Sequence, residues 1–322
     1  MRAVTVVDGR LEWRDHPDPD VGAGELLVDV RAAGLNGSDM LQRQGLYPAP
    51  PGIPADIPGL ELAGEVAAVG RGVERFTMGD RVMALLAGAA QAERAVVHDR
   101  VAMPVPDTLS WAEAGGFPEV FTTAHDALFT QCELGAGERV LVHGAAGGVG
   151  IAAVQLAALA GGRVIATVRN PELRGDVTAI GQRAGWTQVV APDDFVDRGP
   201  FDVVLELVGA PNMAGNLQAL ATWGRIAVIG VGAGASTEIN LHALMAARGR
   251  IHGSTLRPRP LEEKALAVRR VEEHVLPFFG DGSEKARLQV PVAATYPMNE
   301  AEAAYDRFAA GGKFGKIVLV RR

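Results

Sequence analysis

One stretch of this chain leaves little freedom in what it can fold into. Arg139-Val-Leu-Val-His-Gly144 is an apolar strand, Ala145-Ala-Gly147-Gly148-Val-Gly150 follows, and an apolar helical run then continues through Ala160. Gly144, Gly147 and Gly150 stand at G-x-x-G-x-x-G spacing. Glycine lets a backbone turn tightly and approach a ligand without a Cβ in the way. The last glycine lets the helix pack closely on the strand, and the first N–H groups of that helix are left over for phosphates. A glycine-rich run by itself is weak evidence, since purely structural turns use it too. Placed between a strand and a helix, it reads as the phosphate cradle of a dinucleotide site, with Ala145, Gly148 and Val149 in the same turn.

Around this unit the chain changes texture. From about Phe117 onward apolar strands alternate with helical segments: Arg139–Gly144, Arg163–Val168, Gln188–Ala191, Asp202–Val208, Arg225–Val231 and Arg250–Thr255. Strands apolar on both faces belong in a parallel sheet covered by helices, so an α/β doubly wound fold is expected. The first hundred or so residues read differently, as short strands (Glu25–Val30, Glu61–Val69, Asp80–Leu86, Ala92–Val97) cut by Gly, Pro and Asp. That spacing predicts a compact, mostly-β domain. Tyr47 to Pro58 is a Pro-rich loop. Leu261–His274 and Ala301–Ala310 read as helices, and Lys316–Val320 as a final strand. A chain of 322 residues suits two domains.

Composition narrows the classes. Hydrophobic residues make up 48% and charged residues 21%, and every apolar run is broken before it reaches membrane-spanning length. Asp8, Arg10 and Glu12 interrupt any signal-like stretch, so a cytoplasmic enzyme is expected. Net charge is −7 with scattered basic residues, which argues against a nucleic-acid surface. The single cysteine, Cys132, permits neither an internal disulfide nor a thiolate zinc cluster.

The strand after the glycine helix should end beside the adenosine ribose, where NAD enzymes usually carry Asp or Glu. Here Thr167-Val168 is followed by Arg169 and Asn170. A guanidinium binds a 2′-phosphate that a carboxylate would repel, so NADPH is the expected cofactor. A solvated loop arginine is the rival reading of Arg169, and Arg174 is a weaker second candidate.

With these residues in view the sequence resembles the medium-chain dehydrogenase/reductases, and among them the zinc-free quinone oxidoreductase (zeta-crystallin-like) branch. Gly137-Glu138, Leu141, Ala-Ala-Gly-Gly-Val-Gly150 and Gln155 carry the branch signature, with Ala158 where a basic residue or Ser is usual. Leu35-Asn-Gly-Ser-Asp-Met-Leu-Gln-Arg-Gln-Gly-Leu-Tyr47, Phe117-Pro-Glu, Ser254-Thr-Leu-Arg and Gly315-Lys-Ile-Val-Leu are similar to the p53-inducible quinone oxidoreductase subgroup. That subgroup commonly has Ser and Lys at the adenosine phosphate where this chain has Arg169 and Glu172. The resemblance implies a GroES-like substrate domain, residues 1–118 and 256–322, around a Rossmann domain, residues 119–255. It also implies a homodimer joined along Arg250–Thr255. The zinc alcohol dehydrogenases share this fold, but their first Cys ligand corresponds here to Asn36 and their Gly-His-Glu reads Gly59-Leu60-Glu61.

An alcohol oxidation needs a group that takes the hydroxyl proton and stabilises an alkoxide. A quinone is already electrophilic, and the protein mainly has to hold it against the nicotinamide and exclude water. Asn36 and Tyr47 are therefore the expected catalytic pair, the amide donating to a carbonyl and the phenol shielding the ring or giving a proton. Asn36, Ser38 and Asp39 are equally good helix caps, and Tyr47 equally good packing. The resemblance adds Thr123 near the nicotinamide and Lys316 on the cofactor side. Gly230 and Gly232 close the fifth parallel strand at the cofactor edge. His143 and His252 read as core or cofactor-side residues, and Cys132 as an inert thiol. The first expectation is an NADPH-dependent quinone reductase. An enoyl or alkenal reductase that needs Tyr47 is the alternative, and a non-catalytic NADPH-binding sensor a third.

Overall fold

The computed structural model describes residues 1–280 and 288–321. Residues 281–287 and Arg322, within the expected second part of the substrate domain, lie outside the described residues. In chain order the strands are β1 (Arg2–Val7), β2 (Arg10–Asp15), β3 (Glu25–Gly34), β4 (Glu61–Val69), β5 (Arg81–Leu85), β6 (Arg94–His98), β7 (Ala102–Pro104), β8 (Arg139–Val142), β9 (Arg163–Thr167), β10 (Thr187–Val190), β11 (Phe201–Glu206), β12 (Leu220–Val228), β13 (Arg250–Gly253), β14 (Val292–Pro297) and β15 (Lys316–Val320). The helices are α1 (Gly37–Arg43), α2 (Trp111–Gly115), α3 (Pro118–His125), α4 (Gly148–Leu159), α5 (Arg174–Ala184), α6 (Met213–Gln218), α7 (Leu241–Ala247), α8 (Leu261–His274) and α9 (Ala301–Ala309).

Six strands form a wholly parallel sheet in the order β10-β9-β8-β11-β12-β13. Sequence neighbours run outward in opposite directions from β8 and β11, so their carboxyl ends open a crevice between them, where ligands of doubly wound folds bind. The glycine turn lies at the end of β8, in that crevice. Val140, Leu141 and Val142 are all fully buried, as expected of a strand covered on both faces. Its helix, α4, is apolar on every side and is buried from Gly150 through Ala158. Tertiary packing rather than helix propensity holds such a segment, each buried Ile, Val or Leu contributing about 1.5–3 kcal/mol.

The second sheet joins the two ends of the chain. Its order is β14-β15-β3-β4-β5-β7, with β6 paired to β3. β15 runs antiparallel to β3, Val318 opposite Gly34 and Val320 opposite Ala32. This places Lys316, at the start of β15, next to the segment that leads from β3 into α1. Cross-lobe bonding continues there: Gly315 N–H donates to the Ala146 carbonyl at 2.9 Å, stitching β15 to the glycine turn.

The β1–β2 hairpin, β7 and β14 add to the strands read from sequence. β2 hides mainly Leu11, so it shows little apolar pattern. Its signal is the Asp8-Gly9 turn, with φ of 48° and 77°, the conformation that tight hairpin turns require. The helix that Asn36, Ser38 and Asp39 could cap begins at Gly37, and α3 continues into a wider-wound turn, Asp126–Gln131.

Candidate active site

Asn36 ends β3's run and precedes α1, so its backbone is the helix N-cap, extended at φ −129°. The cap is satisfied by Asp39, whose Oδ2 accepts the Asn36 N–H at 2.8 Å. Asn36's own side chain is thus spared for the site. Its Nδ2 donates to Glu61 Oε1 at 2.9 Å, and its Oδ1 accepts from Lys316 Nζ at 2.7 Å. The ammonium also donates to the Leu35 carbonyl at 2.7 Å and pairs with Glu61 Oε1 at 2.6 Å. The remaining Glu61 oxygen accepts the Glu119 N–H, from the first turn of α3, at 2.9 Å. Glu61 is fully buried and Lys316 3% exposed, a burial that only this saturation of bonds makes tolerable.

Leu60 is buried beside this cluster and offers no ligand atom. Lys316's cation fills the space between Asn36 and Glu61. The donor set of one amide and one carboxylate, both bonded to an ammonium, is chemically unlike the thiolate and imidazole shell zinc prefers.

Lys316, expected on the cofactor side, turns its ammonium inward to Leu35, Asn36 and Glu61, while its stem lies against the cofactor loop. A Cβ built on Gly148 would lie 2.7 Å from Lys316 Cδ. The stem therefore packs directly under the first turn of α4.

The glycine turn has the geometry a pyrophosphate needs. Gly144 has φ +61°, and Gly147 is the N-cap of α4. A Cβ on Gly147 would meet only the Gly144 carbonyl, at 3.5 Å, so its outer side is open. Gly150 is different: a Cβ there would lie 2.6 Å from both Ala145 Cα and the Gly144 carbonyl. Ala145 is fully buried and its N–H is committed to the Thr167 carbonyl at 3.1 Å, so it shapes the turn rather than donating to a ligand. The half-buried Val149 and Gly148 carry the first-turn N–H groups. Gly230 packs tightly on Leu207, whereas Gly232 is exposed with nothing within 4 Å of a built Cβ. These features fit a bound dinucleotide.

At the outer end of the crevice Arg169 is exposed and forms no ion pair among the described residues. Asn170 caps the following turn, its Oδ1 accepting from Glu172 N–H at 3.1 Å. Arg174 donates to the Val168 carbonyl at 3.0 Å. Opposite them comes a segment that sequence reading missed. A Cβ on Gly312 would lie 4.0 Å from Asn170 Nδ2, and Lys313 follows. Burial, then the charges of Lys316 and Arg307, pull Lys313 down to about 8. The Lys313 ammonium lies 3.9 Å from the Phe308 ring centroid.

Tyr47 is half-buried, with the Arg257 guanidinium 4.9 Å from its ring centroid. Arg257 is itself buried and bonds only to oxygen acceptors, Ala87 O, Tyr47 O and Gln42 Oε1, so it fixes the Pro-rich loop. Thr123 lies one turn after Glu119 on α3, and both are half-buried. Burial, followed by the charge of Glu61, pushes Glu119 up to about 8, and burial pushes Asp39 up to about 6. Glu61, Glu119 and Arg257 were visible only as members of similar segments. Their roles come from contacts across the fold.

His143 is a core residue, bonded to Thr167 Oγ1 at 3.0 Å and Asn216 Oδ1 at 2.7 Å. His252 approaches Cys132 Sγ at 3.7 Å, and burial pushes that thiol up to about 12, which leaves it inert.

The fold and site together define a dinucleotide-dependent oxidoreductase, and comparison with known proteins agrees. The profile described as alcohol dehydrogenase GroES-like domain matches residues 22–133, and that described as zinc-binding dehydrogenase matches residues 148–273. The quinone oxidoreductase of Rattus norvegicus is 31% identical over 305 residues, 92% of this chain and 89% of the relative. Erythronolide synthase EryA2 of Saccharopolyspora erythraea is 48% identical over 169 residues, 51% of this chain and 4% of the synthase. The mycobacterial protein Rv1454c, solved with NADPH, superposes with TM-score 0.83 at 28% identity, covering 99% of this chain and 100% of its own. The chain belongs to the medium-chain dehydrogenase/reductase family, in its quinone oxidoreductase branch, and combines a GroES-like domain with a Rossmann-type sheet. Among the described residues no helix is long and apolar enough to cross a membrane.

Proposed function

We propose that this protein is an NADPH-dependent reductase of quinones. The observation that carries this reading is the Asn36–Lys316–Glu61 cluster directly beneath the cofactor turn. When bound, the nicotinamide supplies hydride; the protein's residues bind, orient and manage the proton. Gly144, Gly147, Gly148, Val149 and Gly150 would hold the pyrophosphate, and Thr123, Gly230 and Gly232 would border the nicotinamide half. Arg169 would take the adenosine 2′-phosphate, with Lys313 adding charge from the opposite lobe. Such a floor, with fixed charges and no resident Lewis acid in its donor set, suits an acceptor that is electrophilic already. The relatives named quinone oxidoreductase support this class of substrate, and the neighbour solved with NADPH supports the cofactor.

Steady NADPH oxidation with an ortho- or para-quinone tests the reading, and its absence would end it. A second reading, reduction of an activated alkene, draws support from the similarity to a polyketide synthase segment. Under it Tyr47→Phe would abolish enal turnover; under the first, quinone turnover survives that change. We further place the division of the chain at 1–118 with 256–322 and 119–255, and propose a cytoplasmic homodimer paired along the edge of β13.

A further inference from the structure

Building on the reductase reading above, we propose that Glu119 is the acid of this site, its neutral carboxyl giving a proton to the acceptor's oxygen. The charge count of the cleft floor leads there. One ammonium, Lys316, serves three carboxyl groups, Glu61, Asp39 and Glu119. Glu61 takes it, at 2.6 Å. Asp39 is held instead by two backbone N–H groups, Asn36 at 2.8 Å and Gly59 at 3.2 Å. Glu119 receives neither kind of partner and forms no ion pair among the described residues. In a poorly solvated site such a carboxyl keeps its proton.

Position separates the three as well. Glu61 is 0% and Asp39 1% exposed, whereas Glu119 is half-buried, one helical turn before Thr123 on α3. The groups that act on it come from every neighbouring element. Glu61 and Asp39 raise it and Lys316 lowers it, as does the Thr123 hydroxyl; Tyr47, Arg257 and Lys264 feel its charge in turn. Burial dominates, and the carboxyl titrates at about 8. An acid of that strength is well matched to neutral pH, better than the Tyr47 phenol, which burial and Glu119 push above its ordinary value.

The step balances. The acceptor gains one hydrogen with its electron pair from the reduced nicotinamide, which is oxidised. The O–H bond of Glu119 breaks as an O–H bond forms on the acceptor, and the resulting carboxylate regains a proton from water before the next turnover.

The test compares wild type with Glu119→Gln and Glu119→Asp, each first shown by circular dichroism and thermal melting to be folded. Wild-type kcat with a para-quinone should fall as pH rises through about 8. Glu119→Gln should lose that limb and roughly 100-fold in kcat, and Glu119→Asp should recover part of both. Independently of turnover, infrared titration of the ligand-free protein should show a protonated-carboxyl band at neutral pH that is missing in Glu119→Gln. Undiminished turnover with an unchanged pH profile in Glu119→Gln would overturn the proposal and leave the reductase reading standing. A band present in a wild type that reduces no acceptor would fell the reductase reading, and the proposal with it.

Discussion

A single ammonium organises the floor of the cleft. Lys316 reaches Leu35, Asn36 and Glu61 at once, from the opposite end of the chain. Removing it strands a fully buried carboxylate. Lys316→Met should therefore lower the unfolding free energy by about 3–5 kcal/mol, read from urea denaturation. Glu119 and Asp39 make the opposite kind of contribution. Their folded-state values, about 8 and about 6, lie above those of an unfolded chain. The stability they confer is complete below about pH 4 and is lost as pH rises through the folded values. The difference in urea midpoint between wild type and Glu119→Gln should accordingly move in favour of the variant between pH 5 and 8; a pH-independent difference would contradict the titration. Arg169→Ala should weaken NADPH binding roughly 10–100-fold with little change for NADH, because only the former has a phosphate for the guanidinium to bind. Equal loss for both would sink the assignment. At this scale the sequence was legible where one residue carries a chemical statement, as Asn36 and Leu60 do in place of metal ligands. It was not legible for Glu119, Lys313 or Arg257, nor for the partners of Lys316, which are brought close only by the β3–β15 pairing and by the packing of α3.

Elements show the reverse pattern. The β8–turn–α4 unit announces itself because three requirements coincide in one stretch: a strand buried on both faces, glycines at the turn, and an apolar helix. Experiment can separate Gly150, in this unit, from Gly232, in the loop after β12. Gly150→Ala would press a Cβ against backbone atoms at 2.6 Å, where nothing flexible can yield. It should cost about 1–3 kcal/mol and much of the dinucleotide affinity. Gly232→Ala meets nothing within 4 Å and should leave stability unchanged; a clear loss of melting temperature there would show that the β12 loop is packed differently. The elements that escaped reading are those with weak apolar pattern. β2 alternates around one buried leucine, and β14 is largely half-buried or exposed, so its pairing with β15 decides its conformation. Buried strands declare themselves; exposed ones are recruited.

At the scale of the molecule, two features follow from the way the chain closes on itself. The first and last segments share one sheet, and the Gly315–Ala146 bond ties that sheet to the cofactor turn. Substrate floor and cofactor cradle are thus fixed to one another through Lys316. The second feature is the edge of β13, which pairs with β12 alone among the described residues and follows an α7 whose Leu241 is 66% and Met245 70% exposed. An open edge with apolar neighbours favours a second copy. Sedimentation should show a dimer that Leu241→Asp with Met245→Asp converts to monomer, and a monomeric wild type would refute it. The central claim, that a metal-free charged floor beneath a dinucleotide turn serves quinone reduction, is tested most directly by a turnover panel. Ortho- and para-quinones and enals would be offered with NADPH and with NADH. The account predicts steady oxidation of NADPH by quinones, faster than with NADH and faster than with enals. Turnover of enals alone, or of no acceptor, would contradict it.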